Sequence, residues 1–227
     1  MKHPIVILHG WGLSAKKFAP LASELRKNHL TVYAPDFPTD EKKPYVLSDY
    51  VDFLHSFIEQ HNIKQPILLG HSFGGRVALK YQFVYPKNIR ALILTGTPGV
   101  TPVAKQKIML VTALAKIGKI IFNYPIVRRW YYYVVGARDY YRAQGAMRDT
   151  FKNIVKENLE TYMKSVLVPT LLVWGKNDII TPIRVAEKMQ SIIPESSLVL
   201  IDGDHGVSYK DPKQFGSAIY DFLLSLT

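Results

Sequence analysis

The sequence predicts an α/β fold: a mainly parallel sheet of about six strands, flanked by helices and interrupted by a helical insertion. Three observations carry this reading. Short runs almost continuous in Ile, Leu and Val recur along the chain. Longer amphipathic stretches lie between them. One middle segment breaks the alternation.

The runs are "PIVILHG", "TVYAPD", "PILLGHS", "ALILTG", "PTLLVWG" and "SLVLIDG". Their apolar residues run together instead of alternating. That is the pattern of strands covered on both faces, as in a parallel sheet. Residues 14–27 read as a helix that starts at a Ser cap. Residues 48–61 repeat that design, with Val51, Leu54, Phe57 and Ile58 at helical spacing. Residues 73–84, 182–193 and 212–226 complete the helices. Strand then helix, repeated, gives parallel pairing.

Residues 101–165 contain no convincing strand. They hold 12 Lys and Arg against 4 Asp and Glu, and 7 of the 14 tyrosines. They read as a helical cap over the carboxyl edge of the sheet, inserted into a core made of residues 1–100 and 166–227. Ligands bind at that edge in sheets of this kind.

A chain of 227 residues with 48% hydrophobic content can build one real core and is not disordered. It has no cysteine, which excludes disulfides and thiolate metal sites. The first residues lack a signal-peptide pattern, and no apolar run approaches the roughly 18 residues of a membrane span. The chain reads as soluble and cytoplasmic. There is no P-loop, no G-x-G-x-x-G after a strand and no metal-ligand spacing, so no cofactor or metal is expected.

The net charge of +11 is concentrated in the cap. In residues 105–122, Lys105, Thr112, Lys116 and Lys119 share one helical face. Ile108, Leu110, Val111, Leu114, Ile117 and Ile121 cover most of the rest. This reads first as a lid helix with its apolar side on the cleft. The same basic face suits an anionic substrate, an acidic carrier protein or a membrane surface. No recognition motif points to nucleic acid.

The chemistry concentrates in "LLGHSFGGRVAL". Gly70-His71-Ser72-Phe73-Gly74 is G-x-S-x-G on a strand-to-helix turn. The turn is so tight that side chains at 70 and 74 would clash, and glycine removes them. A serine nucleophile needs a base, a group to orient that base, and donors for the oxyanion. "LLVWGKNDIITP" puts Asp178 just past one strand, and "LIDGDHGVSY" puts His205 just past the next. Singly, Asp178 reads as well as a turn residue, and His205 as a loop histidine. Their order after Ser72, at successive strand ends, joins them. In "LHGWG", the Trp11 N–H would donate to an oxyanion together with that of Phe73, while His9 and Gly10 shape the loop. The Trp11 side chain fits pocket lining and packing equally. Asp36, Asp202 and Asp204 lie at less suitable places for the acid. His3, His29, His55 and His61 read as surface or core residues.

"HGWG", "GHSFGG", "WGKND" and "GDHG" together resemble the α/β-hydrolase superfamily, over the chain from Met1 to its last helix. The resemblance implies nucleophile Ser72, acid Asp178, base His205 and a variable helical cap. It implies a serine hydrolase that cleaves a small carboxylic ester through an acyl-enzyme. "HGWGLS" and the small size also resemble carboxylesterases that demethylate pimeloyl-acyl-carrier esters. The same apparatus serves thioesterases, amidases, C–C bond hydrolases and perhydrolases, and the fold also occurs as a non-catalytic binding protein. There are two departures. "PDFPTDEKKP" lacks the glycines of D-x-P-G-x-G-x-S, and the chain starts directly at the "PIVILHG" strand, which trims the sheet.

Overall fold

The computed structural model describes residues 3–40, 42–100 and 145–226. Its strands are β1 (Ile5–Leu8), β2 (Val32–Tyr33), β3 (Ile67–His71), β4 (Ala91–Thr95), β5 (Thr170–Gly175) and β6 (Ser196–Ile201). They form one six-stranded sheet of order β2-β1-β3-β4-β5-β6, with every neighbouring pair parallel. Leu8 lies beside Gly70, His71 beside Thr95, and Gly175 beside Ile201. The register therefore brings the carboxyl ends to one edge. The chain places β2 on one side of β1 and β3 on the other. The loops after β1 and β3 diverge at that switch, and a crevice opens there.

The described helices are α1 (Ala19–Lys27), α2 (Leu47–Gln60), α3 (Phe73–Val84), α4 (Gly145–Lys156), α5 (Glu160–Lys164), α6 (Ile183–Gln190), α7 (Val207–Lys210) and α8 (Pro212–Leu224). Alternate strand residues divide between two cores, because successive side chains point to opposite faces. Val6, Leu8, Leu92 and Trp174 meet Leu54, Val77 and Met189 on one face. Ile5, Ile7, Ile93 and Val173 meet Leu21, Leu25, Phe215 and Ile219 on the other. Each such side chain contributes about 1.5–3 kcal/mol on burial.

Three expectations need correction. Ser14 makes no side-chain cap; a 3-10 turn, Ala15–Phe18, precedes α1, and the Ala15 N–H donates instead to Asp36 Oδ1 at 2.5 Å. Ser48 is not a cap either. Helix α2 begins one residue earlier, and the Asp49 carboxylate accepts from the Val46 N–H at 2.7 Å. An acidic side chain in the first turn does the capping there, and it also suits the helix dipole. Strand β6 is not covered on both faces: Ser197 and Leu200 are exposed, because β6 is an edge strand with one partner.

Helix α3 lies unusually close to the sheet. A Cβ on Gly74 would come 2.0 Å from the Leu8 carbonyl oxygen. A Cβ on Gly75 would come 1.9 Å from Thr97 Oγ1, and one on Gly70 2.5 Å from Gly75 Cα. The Gly74 clash is with backbone, which cannot step aside as a side chain can. Gly74→Ala is expected to destabilise the fold by about 3 kcal/mol, the upper range for overpacking. Urea denaturation would read this; an unchanged midpoint would mean that α3 is not held against β1 in this way.

Helices α4 and α5 lie within the 101–165 span and dock on α3. Arg76 is buried there. Its Nη2 donates to the Ile154 carbonyl at 2.6 Å and the Glu157 carbonyl at 3.1 Å, and its Nη1 donates to the Pro98 carbonyl at 3.4 Å. Lys80 pairs with Glu157 at 2.5 Å. Most of the expected cap, with Lys105, Lys116 and Lys119, lies outside the described residues. Among the described residues no helix is long and apolar enough to cross a membrane.

Candidate active site

The switch-point edge gathers the residues singled out from sequence. Strand β3 ends at His71, and α3 begins at Phe73. Ser72 between them has φ 52° and ψ −112°. A non-glycine residue held at positive φ costs on the order of 1–3 kcal/mol and persists only where its surroundings enforce it. Here they do. The Ser72 N–H donates to the Thr95 carbonyl at 2.9 Å, and the tight glycine contacts fix the helix behind it. Ser72 stays partly exposed while its neighbours on both sides are buried.

Phe73 is the first residue of α3, so its N–H has no acceptor within the helix. The "HGWG" loop faces it. The Trp11 ring meets Phe73 edge-on at 5.6 Å and Phe151 of α4 at 5.4 Å. His9 is buried and ties two loops together. Its Nε2 accepts from the Phe37 N–H at 3.0 Å, so Nδ1 carries the proton and donates to the Gly10 carbonyl at 2.9 Å. Burial lowers its pKa, partly offset by the Gly10 bond and by Asp36. A neutral His9 that spends both nitrogens on the main chain is a loop brace. The "PDFP" loop, without its usual glycines, is filled by Phe37, whose ring packs on Phe73 at 5.2 Å and on Tyr50 at 5.5 Å.

Asp178, just past β5, and His205, just past β6, are hydrogen-bonded: His205 Nδ1 lies 2.8 Å from Asp178 Oδ2. Asp178 is 5% exposed, and its carboxylate is saturated. Oδ1 accepts from the N–H groups of Ile180 (2.9 Å) and Thr181 (2.8 Å), and Oδ2 accepts from the Thr181 hydroxyl at 2.7 Å as well as from His205. Burial raises this pKa, but the His205 bond and charge, with the Thr181 donors, outweigh it and hold the carboxyl below its ordinary value. The His205 ring lies against Gly96, where a Cβ would come 2.7 Å from Cε1. Gly96 follows Thr95, whose carbonyl accepts from the Ser72 N–H, so the imidazole and the serine turn are both placed from the end of β4. No Ser72–His205 hydrogen bond is formed among the described residues. Such bonds are commonly long without substrate and tighten when it binds.

The other acids are engaged elsewhere. Asp204 pairs with Lys210 and accepts from the Gly206 N–H at 2.9 Å. Asp202 pairs with Lys176 at 2.9 Å. Asp36 lies 3.7 Å from His9 Nε2. Among the described residues no three His, Asp or Glu side chains converge as metal ligands would.

Two residues of this site escape sequence reading. Thr181 completes the Asp178 shell, and its hydroxyl also lies 3.2 Å from His205 Nδ1. Trp174 holds Thr181 in place by donating its indole N–H to the Thr181 carbonyl at 2.7 Å. The second is His71, buried beneath Ser72, with Nε2 2.9 Å from the His205 carbonyl oxygen. A threonine three residues past an aspartate is a usable sign of such a loop. Nothing local marks His71.

Comparison with known proteins agrees with this architecture. The model of the Alpha/beta hydrolase family matches residues 5–218. The chain is 28% identical over 251 residues to the AB hydrolase superfamily protein YisY of Bacillus subtilis, covering 96% of this chain and 91% of that one. It is 24% identical over 222 residues to Lipase 3 of a Moraxella species, covering 88% and 70%. The solved thermophilic esterase of Thermogutta terrifontis superposes with a TM-score of 0.72 at 20% identity, over 100% of this chain and 91% of that one. Sheet order, the edge-of-sheet site and a family match across nearly the whole length lead to one conclusion: the chain belongs to the alpha/beta hydrolase family.

Proposed function

We propose that the protein is a serine hydrolase of carboxylic esters. The observation that carries this reading is the saturated Asp178–His205 pair at the sheet edge where Ser72 is held at positive φ. With Nδ1 bonded to Asp178, Nε2 is the nitrogen left to take the Ser72 proton. Ser72 Oγ attacks the ester carbonyl, and the oxyanion is met by the N–H groups of Phe73 and Trp11. His205 returns the proton to the departing alcohol. An acyl-enzyme remains on Ser72, and His205 then activates water to release the acid. Asp178 keeps the imidazole in one tautomer and stabilises its cation. Thioesters and amides would use the same steps; the lipase and esterase among the similar proteins favour oxygen esters.

The test is a fluorophosphonate probe on the intact protein, with peptide mapping of the label, beside turnover of p-nitrophenyl esters of graded chain length. The expected result is one label, on Ser72, and turnover that the probe abolishes. A protein that takes no label and cleaves no ester is a binding protein on the same fold, and the proposal fails.

A further inference from the structure

His71 touches the three parts of the site at once. It precedes Ser72 in the chain. Its ring backs the oxyanion loop so closely that a Cβ on Gly10 would come 2.7 Å from Nδ1. Its Nε2 lies 2.9 Å from the His205 carbonyl oxygen. A carbonyl only accepts, so Nε2 carries the proton and Nδ1 does not. That Nδ1 is buried and has no hydrogen-bond partner. The ring is 2% exposed, boxed by Phe18 and Tyr209 at 5.6 Å each and by the His205 ring at 5.0 Å. Turning it over would lose the His205 bond and gain nothing.

The His205 main chain needs such a hold. Gly203 and Gly206 stand on either side, and Gly203 has φ 144°. Asp178 holds one atom of the imidazole and Gly96 lies against its face, but both act at the ring end. A grip on the backbone fixes the other end, the point from which the side chain starts. We propose that His71 is a positioning residue: its Nε2–H fixes the His205 main chain and thereby aims the His205 imidazole at Ser72. This rests on reading Ser72 and His205 as nucleophile and base. His71 does not compete as a base, since burial and the neighbouring His205 lower its pKa to about 3. Its neutrality also spares the imidazolium that forms on His205 a like charge 5.0 Å away.

The test compares His71→Phe, which keeps a flat ring and loses the donor, with His71→Gln, whose amide nitrogen reaches the place of Nε2. For His71→Phe, kcat on p-nitrophenyl butyrate is expected to fall on the order of a hundred-fold, the scale of an ångström of misplacement. KM should hardly move, and His71→Gln should recover most of the rate. Amide hydrogen exchange over residues 203–207 should quicken in the Phe variant and return in the Gln variant. Should His71→Phe not fold, His71→Asn takes its place, because its amide stops short of the His205 carbonyl. Unchanged exchange in the donor-less variant overturns the anchor. Equal loss of kcat in Gln and Phe, with both folded, overturns the positioning role. If the wild-type chain takes no fluorophosphonate at Ser72, it is the nucleophile reading that fails, and exchange alone then decides the anchor.

Discussion

Ser72→Ala is expected to leave a folded protein whose kcat for p-nitrophenyl esters is lower on the order of a million-fold, as when a triad nucleophile is lost. The fold survives because the Ser72 side chain makes no capping bond to α3. What holds the turn is its N–H bond to Thr95 and the helix contacts behind it, and both belong to the backbone. Ser72→Gly goes further. Glycine adopts positive φ without a steric cost, so this variant should be more stable than the parent by about 1 kcal/mol, the low end of such strain, and equally inactive. Activity lost while the urea midpoint rises would separate a strained nucleophile from a structural serine. A Ser72→Ala variant that keeps most of its turnover would place the nucleophile elsewhere.

The strands and the long helices were legible because their signals are local. "ILLGH" and "TLLVWG" are apolar throughout, and both are buried throughout. Ser48 misled because a hydroxyl near a helix start is a common cap, whereas here the Asp49 carboxylate reaches back to Val46. Edge status was invisible in "SLVLI", since a strand with one partner carries the same β-branched residues as one with two. At the site, the pairing of Asp178 with His205 follows from their places after adjacent parallel strands, which chain order already implied. His71 could not be found that way. Its partner is a main-chain carbonyl 134 residues further on, and a carbonyl has no letter in the sequence. The basic run at 105–122 reads as a one-sided lid helix from its spacing, and its residues lie outside those described.

Asp178→Asn should cost on the order of ten-thousand-fold in kcat with little change in fold. The direction follows from the donors around the carboxylate. Oδ1 accepts two main-chain N–H groups, so the one oxygen of asparagine must stay there. The new NH2 then occupies the place of Oδ2, facing the Thr181 hydroxyl and His205 Nδ1. Two donors cannot share that bond, so His205 must present a lone pair at Nδ1 and carry its proton on Nε2. That tautomer cannot take the Ser72 proton. Asp204→Asn, whose side chain bonds Lys210 and the Gly206 N–H and feels His205 only through charge, should cost far less. Stability gives a second readout. The Asp178 carboxyl is held below its ordinary pKa when folded, so its contribution is present above the unfolded value and is lost as pH falls through the folded one. The asparagine variant has no such proton to take up, and its urea midpoint should fall less steeply than the parent's on the acid side. If Asp178→Asn keeps its rate while Asp204→Asn loses it, the acid is Asp204, and the Asp178–His205 bond is a structural one.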